Sequence, residues 1–343
     1  MACRPGYPPD GPAYAGRGLP NCVIIETEMT LTQLNAFVLV ARLGSVTAAA
    51  SALGVSEPAV SQALAALRAH LGDPLLSRGP SGMTLTPGGS RLLPTASQIV
   101  VLGAEAHAAV RAARGAPEQV RVVATSMVAE FVTGPLVEAF SRRFGASVEV
   151  QSGVAVTGEM AVLVANRLAD LAIGPRLTRD AGLPVVTEPI FKYRLVVVAS
   201  PKSRPRGSLR QWRWLVDPSA TDPGSDVGQL LAALQVTEDR IGVFPSQTAA
   251  WAAAADGAGV SVAVEHLVAQ QVRRGELALV DVPGAPVEAC WYVTMLERPQ
   301  RSTAASSFRR FLSTPEAMHL MRSPAAGVPP SRFRPPVYVT IWS

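Results

Sequence analysis

Cysteine and lysine are scarce in this 343-residue chain. The cysteines are Cys3, Cys22 and Cys290, too few and too scattered for a disulfide framework or a cysteine metal site. We therefore predict a reducing compartment, the cytoplasm. Only Lys192 and Lys202 are lysines, so nearly all cationic side chains are arginines, which suit forked contacts to phosphate or guanine.

Long apolar runs are also missing, which excludes a membrane span and a signal peptide. Residues 1–28 are rich in proline and glycine and predict a disordered leader. Periodic sequence begins after Met29, which is therefore an alternative start of translation. The four histidines have no paired nucleophile or metal-ligand spacing, so we predict no enzyme, no metal and no cofactor.

The bulk composition predicts a folded protein of more than one domain. A chain of 343 residues exceeds the usual size of one hydrophobic core, and 48% of it is hydrophobic. The net charge of +5 is compatible with a nucleic-acid partner. It decides little, because a modest positive excess is common among proteins with other partners.

Residues 29–87 predict three helices followed by a hairpin. Thr30 and Gln33 form a capping box, Ser45 can cap a second helix, and Ser56 with Pro58 can start a third. The extended pieces 75–78 and 83–86 are separated by GPSG, which suits a hairpin. This arrangement is typical of a winged helix-turn-helix. The third helix has a predicted buried stripe of Val60, Leu64, Leu67 and Leu71.

Residues 88–117 predict a long helix and a hinge. Small and apolar residues recur alternately every four and three positions, which is a heptad seam that needs a partner helix. Pro94 is expected to bend its start. The alternative is a helix packed on its own domain. The seam consists of Leu92, Ala96, Ile99, Gly103, Ala106, Val110 and Ala113.

Residues 118–313 alternate strand-like and helical patterns, which predict parallel sheet flanked by helices. The fold class is therefore multidomain, α and α/β. Residues 314–343 are rich in proline, serine and arginine and predict a disordered tail.

One stretch carries a family resemblance. AAASALGVSEPAVSQALAALRAHLGDPLLSR, followed by MTLTPGG, resembles the amino-terminal domain of the LysR-type transcriptional regulators. The likeness continues in DLAIG and AADGAGVSV and covers about residues 30 to 312. It implies a winged helix-turn-helix, a dimerising linker helix, frequent tetramers and an effector domain of two α/β lobes similar to periplasmic binding proteins. Lobe I would hold residues 118–199 plus 289–313, and lobe II residues 200–288.

The same pattern implies which residues meet DNA. Glu57, Pro58, Ser61 and Gln62 stand where the family contacts base edges. Gln62 departs from a frequent arginine, and Arg68 replaces a usual glutamate. The alternative for this face is a solvated surface. Helix starts and the wing imply phosphate contacts from Ser45, Thr47, Ser56 and Arg78.

Three helix starts in the effector domain carry hydroxyls or amides. Such groups suit a carboxylate or inorganic anion at the crevice between lobes, so we predict a small anionic effector. The alternative is that each residue is only a helix cap. The predicted effector contacts are Thr125, Ser126, Met127, Ser152, Thr157, Ser246, Gln247 and Thr248.

These features predict a cytoplasmic DNA-binding regulator whose lobes close on a metabolite. Its predicted partners are double-stranded DNA, the effector, further copies of itself and RNA polymerase, with no membrane. Two alternatives stay open, a ligand-independent architectural DNA-binding protein and a solute-binding protein.

Overall fold

The computed structural model describes residues 29–79, 82–177, 182–203 and 207–323. The predicted leader, residues 1–28, lies outside the described residues. A small helical N-terminal domain, a long connecting helix and a large C-terminal α/β domain follow one another along the chain.

Three helices form the N-terminal domain: α1 (Leu31–Leu43), α2 (Val46–Leu53) and α3 (Glu57–Leu71). Each begins after a hydroxyl residue, Thr30, Ser45 or Ser56, whose side chain accepts a hydrogen bond from the first turn. The predicted capping box of Thr30 and Gln33 is present. Gly54 ends α2 in the left-handed conformation that the tight turn requires.

The buried stripe of α3 is shorter than predicted. Val60, Leu64 and Leu67 are buried, but Leu71 is 40% exposed. Leu71 is the last helical residue, directly before the left-handed Gly72 that turns the chain away. The prediction is therefore wrong for this one position.

A two-stranded wing completes the N-terminal domain. β1 (Leu76–Gly79) pairs antiparallel with β2 (Gly82–Leu85). The hydroxyls of Ser77 and Thr84 lie 2.9 Å apart across the pair. Each strand is shifted by one residue from its predicted position, because Leu75 has a left-handed φ of 60° and Thr86 instead caps the next helix.

The linker helix α4 runs from Pro87 to Ala113. Part of its heptad seam packs against the N-terminal domain of the same chain. Ala96 is buried, and a Cβ on Gly103 would come within 2.9 Å of Leu31 in α1. Close packing on its own domain therefore holds for the first part of α4. From Glu105 onwards α4 is exposed, and Val110 is 54% exposed.

The C-terminal domain is built on one nine-stranded sheet. Its strands are β3 (Glu118–Ala124), β4 (Val148–Val154), β5 (Leu171–Gly174), β6 (Val185–Ala199), β7 (Trp214–Val216), β8 (Ile241–Val243), β9 (Val260–Val264), β10 (Ala278–Val280) and β11 (Val287–Leu296). The order is β4-β3-β5-β11-β6-β9-β7-β8, with β10 paired to β6. Lobe I contains the parallel strands β3, β4 and β5, and lobe II contains β7, β8 and β9.

The long antiparallel strands β6 and β11 run through both lobes. β11 pairs with β5 of lobe I from Tyr292 to Met295, and β6 pairs with β9 of lobe II from Leu195 to Ala199. The two-lobed α/β fold is thereby confirmed. The exact boundaries at residues 199 and 289 stay a prediction, because these two strands join the lobes into one sheet.

Eight helices within the described residues flank this sheet: α5 (Ser126–Val128), α6 (Gly134–Phe144), α7 (Thr157–Ala165), α8 (Asp226–Ala233), α9 (Gln247–Ala255), α10 (Glu265–Arg273), α11 (Thr303–Leu312) and α12 (Pro315–Arg322). A π-helical turn, Ala129–Thr133, joins α5 to α6. The N-terminal domain packs on lobe I through α7, whose Val162 is buried with the core of α1 and α2.

The helix α12 lies inside the predicted disordered tail, so that prediction is wrong for residues 315–322. Thr314 caps α12, and Ala317 and Met321 are buried one turn apart. This apolar contact orders the segment. Residues 324–343 of the predicted tail lie outside the described residues.

Candidate functional site

The exposed face of α3 carries the side chains predicted to meet base edges. Glu57, Pro58, Ser61 and Gln62 are all exposed. They lie in the first two turns of α3, where Val60 is the buried residue. Hydroxyl and amide groups of this kind can read base edges in a major groove. Their contact with DNA stays a prediction.

The predicted phosphate contacts surround this face. Ser45 and Ser56 each accept a hydrogen bond from a backbone N–H three residues further on, at 3.3 and 3.4 Å. Capping uses only the acceptor of a hydroxyl, so both can still donate. Thr47 is exposed in the first turn of α2, and Arg78 is exposed on β1. All four residues are therefore able to donate to a backbone phosphate.

The predicted effector cleft lies between the lobes, and carboxylates of the chain itself cross it. Ser126, at the start of α5 in lobe I, donates its hydroxyl hydrogen to Asp217. Asp217 directly follows β7 in lobe II and is 1% exposed. It also accepts from the backbone N–H of Ser219 at 3.2 Å. The Ser126 hydroxyl is thus already used between the lobes.

A second carboxylate bridge holds the start of α7. The backbone N–H of Thr157 in lobe I donates to Asp222 of lobe II at 2.7 Å. Asp222 also accepts from the N–H of Gly224 at 2.9 Å. The Thr157 hydroxyl is buried and has no hydrogen-bond partner among the described residues.

A third bridge ends at α9 of lobe II. Glu130 lies on the π-helical turn of lobe I and is 5% exposed. Its carboxylate accepts from the backbone N–H groups of Gln247 at 2.9 Å and Thr248 at 3.0 Å, and from the Thr248 hydroxyl. The positive end of a helix dipole favours such a negative charge.

These bridges bear directly on the predicted anionic effector. Four of the eight residues expected to bind it already donate a hydrogen bond to a carboxylate of the chain: Ser126, Thr157, Gln247 and Thr248. Thr125 and Met127 line a remaining cavity of about 20 Å³, which is close to the space of one water molecule. An effector in this cleft therefore has to displace a carboxylate or find the lobes further apart.

Two predicted contacts have other roles. Ser152 lies within β4 and is exposed, because β4 continues to Val154 in register with β3 rather than ending at residue 151. It was wrongly predicted to follow the strand. Ser246 accepts from the N–H of Ala249 at 3.2 Å and so caps α9. For Ser246, the observed hydrogen bond is therefore that of a helix cap, which was the alternative to an effector contact.

Gln247 is the most deeply buried of the predicted effector contacts, at 1% exposure. Its side-chain N–H donates to the carbonyl oxygen of Val262 at 2.6 Å. Its side-chain oxygen has no hydrogen-bond partner among the described residues. Buried polar atoms are normally satisfied, so this oxygen and the Thr157 hydroxyl are available to a ligand.

Acidic groups near the cleft sit in surroundings that disfavour charge. Burial raises the pKa of Asp226, although a hydrogen bond from Tyr193 partly opposes the rise. Burial and the neighbouring Asp226 raise the pKa of Tyr193 well above its usual value. Burial raises the pKa of Glu159, and the charge of Asp222 adds to that rise. A further anion is opposed here unless a carboxyl group takes up a proton.

Sequence analysis missed the carboxylates that bridge the lobes. Glu130, Asp217 and Asp222 each meet a partner far away in sequence. One signal was available, since Glu130 is the single charge in the apolar stretch SMVAEFVTG. A charge that is buried with its apolar neighbours needs a polar partner.

Across residues 29–323, outside the three gaps, no three His, Cys, Asp or Glu side chains come together as a metal site would require. None of the helices described is both long and apolar enough to cross a membrane.

Comparison with known proteins identifies both domains. The description "LysR substrate binding domain" matches residues 113–314, and "Bacterial regulatory helix-turn-helix protein, lysR family" matches residues 31–90. An uncharacterized HTH-type transcriptional regulator of Mycobacterium tuberculosis is 35% identical over 323 residues, which is 92% of this chain and 100% of that protein. The regulator CfxR of Cupriavidus necator is 28% identical, and the match covers 89% of this chain and 97% of CfxR.

A solved structure shows the same fold. The Vibrio cholerae virulence activator AphB, described as a member of the LTTR protein family, superposes with a TM-score of 0.50 at 20% identity. The match covers 83% of this chain and 98% of AphB. The two family matches show that the N-terminal domain is a DNA-binding helix-turn-helix domain and the C-terminal domain an effector-binding domain. The chain belongs to the LysR family of bacterial transcriptional regulators.

Proposed function

We propose that this regulator recognises a specific DNA sequence through the exposed face of α3. The observation that carries the proposal is the placement of Ser61 and Gln62 in the first two turns of that helix, exposed and outside its buried stripe. Gln62 can form a paired contact with adenine, and Ser61 can donate or accept at either base type. Phosphate contacts from the helix starts would set the position on the duplex.

Selection of binding sites from a random DNA library tests this role. We expect the full-length chain to enrich one motif, and Gln62→Ala to lose about tenfold of its preference at one base pair. His70→Ala is the matched control, because His70 is exposed near the other end of α3. An identical motif from the Gln62→Ala variant would contradict the assigned role.

We propose a dimer through α4 as the DNA-binding unit, with a tetramer as the larger assembly. Leu102 is 61% exposed and Val110 is 54% exposed on the part of α4 that leaves the N-terminal domain. A partner helix would cover these apolar side chains. Two α3 helices then read two half-sites, which compensates for the weak charge of each one.

We propose that a small molecule bound in the cleft changes the DNA contacts. The buried side-chain oxygens of Thr157 and Gln247, which have no hydrogen-bond partner in the described part of the chain, support a ligand there. We further propose that this effector is anionic. Its acidic group would then replace Asp217 as the partner of Ser126, or Glu130 as the partner of Thr248. Effector binding would thereby break a bridge between the lobes.

A second candidate is a DNA-binding protein that acts without a ligand. The carboxylate bridges and the cleft cavity of about 20 Å³ favour it. Carboxylates and phosphates that change DNA affinity in the wild type, but not in Ser126→Ala, would support the effector. If no compound in such a panel changes DNA affinity, the ligand-independent function is favoured.

Regulation of transcription also implies a cellular compartment and a further protein partner. We propose that the protein works in the cytoplasm, where bacterial DNA is transcribed, and that RNA polymerase is a further partner. Recovery of RNA polymerase with the protein on operator DNA, and its loss without that DNA, is the expected result.

A further inference from the structure

A cavity of about 550 Å³ opens beside the cleft, where β6 and β11 meet α8. Small-molecule sites are roughly 300 to 1,000 Å³ in volume, so this cavity is large enough for a ligand. Asp226 lines both it and the much smaller cleft cavity. Arg176, which follows β5 of lobe I, faces it together with α8 of lobe II. We call it the hinge cavity.

The floor of the hinge cavity is one face of the long strands. Glu288, Cys290 and Tyr292 alternate along β11, so their side chains point to the same face. Lys192 is the register partner of Cys290 on β6 and shares that face. Trp291 points the other way and is buried in the core. All four floor residues line the hinge cavity.

Charges of both signs line the hinge cavity without a partner from the described residues. Lys192, Arg176 and Glu288 take part in none of the ion pairs found there. Arg194 is different, since it pairs with Glu265 at 3.1 Å. The two cations and the carboxylate of Glu288 are therefore available to a ligand, whereas Asp226, the other carboxylate of the cavity, accepts a hydrogen bond from Tyr193.

The wall of the hinge cavity is apolar. Leu230 of α8 and Leu234 at its end line it. Asp226 is held at the edge by the hydroxyl of Tyr193, which donates to it. Ligand sites commonly combine such apolar surface with a few placed polar groups that fix orientation.

We propose that the hinge cavity is a second ligand site, for a small amphoteric molecule with one acidic group and one amino group. The acidic group faces Lys192 and Arg176, and the amino group faces Glu288. An anion without an amino group would leave the charge of Glu288 uncompensated, and an amine without an acidic group would leave the charges of Lys192 and Arg176 uncompensated. The apolar part of the ligand packs on Leu230.

Because the cavity is lined from both lobes, its ligand would bind more tightly in one relative position of the lobes than in another. Any effect of that preference on DNA binding rests on the proposed function. Binding itself does not, and the two can be measured separately.

Alkylation of Cys290 by iodoacetamide reports directly on the cavity, because its thiol lies on the floor. Cys3→Ala and Cys22→Ala leave it as the single thiol of the chain. The probes are the proteinogenic amino acids, each with its deaminated acid and its decarboxylated amine. We expect at least one amino acid to slow alkylation at least about tenfold at saturation, and its two counterparts to fail.

Lys192→Met should raise about tenfold the amino-acid concentration that gives half-maximal protection of Cys290, which corresponds to a loss of about 1.4 kcal/mol in binding free energy. Glu288→Gln should have the same effect. Lys202→Met is the matched control, since Lys202 is the other lysine of the chain and does not line the cavity. The proposal is overturned if no amino acid protects Cys290, if Lys192→Met behaves like Lys202→Met, or if a deaminated acid protects equally. DNA binding by the same preparation tests the proposed function independently.

Discussion

Glu130 joins the two lobes through a single buried carboxylate. Its substitution by glutamine places an amide N–H₂ opposite the N–H donors of Gln247 or Thr248. Hydrogen bonds to charged groups contribute about 1.5 to 3 kcal/mol each, so we expect Glu130→Gln to lower the free energy of unfolding by about 2 to 4 kcal/mol. Urea denaturation followed by circular dichroism measures this change.

The matched control lies on the helix that follows. Glu138 is exposed and pairs with Arg142 at 3.2 Å on the surface. Surface pairs contribute little, so Glu138→Gln should change the free energy of unfolding by less than about 0.5 kcal/mol. Equal effects of the two glutamines would mean that the Glu130 bridge does not stabilise the closed lobes.

Single residues also show where sequence analysis succeeds. The caps Ser45 and Ser56 were predicted because each hydroxyl bonds three residues along the chain. Ser126 was predicted as a free donor, but its partner Asp217 is 91 residues away in sequence. Local geometry determines a cap, whereas the meeting of two lobes depends on the whole fold. The partners of the bridging carboxylates could therefore not be assigned in advance.

At the scale of elements, the exposed end of α4 predicts an interface. Val110→Glu would place a charge in the proposed dimer seam, where it cannot be solvated. We expect the dimer dissociation constant to rise at least about tenfold by analytical ultracentrifugation. Ala108→Glu is the control, because Ala108 is exposed but outside the heptad seam. Equal dissociation constants for the two variants would exclude this seam as the interface.

The contact between α10 and α12 predicts a dependence on pH. Burial lowers the pKa of His266, whose ring nitrogen lies 3.0 Å from the carbonyl oxygen of Met321, and nearby Arg322 lowers it further. The unfolded chain therefore binds this proton more readily than the folded chain. Stability is retained above the usual value of 6.5 and falls as the pH drops from there towards the lowered folded value.

We expect His266→Gln to lose less stability than the wild type between about pH 7.5 and about pH 5.5 in urea titrations. His319→Gln removes an exposed histidine of α12 and should keep the wild-type slope. A wild-type slope in the His266→Gln variant would show that this histidine does not titrate with unfolding.

Elements were predicted best where one periodicity dominates. The helical spacing in α1 to α4 and the alternation of strands and helices both follow from the sequence. β4 extends past its predicted end, because its ladder with β3 continues to Val154. The helix α12 was missed because the proline, serine and arginine of the surrounding tail outweighed a short apolar repeat, Ala317 and Met321.

For the whole molecule, α7 is one connection between the lobes and the DNA-binding domain, beside the linker helix α4, whose Glu105 pairs with Arg167 of lobe I. The first N–H of α7 is held by Asp222 of lobe II, and its Val162 packs with α1 and α2. Asp222→Asn should loosen this connection. We expect amide hydrogen exchange to accelerate about tenfold in α7 and to rise in α2, because a charged hydrogen bond is weakened.

Asp239→Asn is the control for that measurement, since Asp239 pairs with Arg240 at 3.2 Å within lobe II. It should leave exchange in α7 unchanged. A change confined to the segment around Asp222 would show that the two domains are not coupled through α7.

The order of domains was predictable from sequence because each domain has its own pattern and motif. The packing of α7 on the N-terminal domain was not, because Val162 and Ala52 belong to different periodic segments. The same holds for the hinge cavity, which exists only where β6, β11 and α8 meet.

The most direct test of the central claim is a binding titration of the full-length protein on the DNA immediately upstream of its own gene. Unrelated DNA of equal length is the comparison, at about 50 mM and about 200 mM salt. Recognition of base edges predicts a preference for the upstream fragment that persists at the higher salt. Equal binding to both fragments that collapses with salt would contradict sequence-specific recognition of this DNA and leave only phosphate contacts.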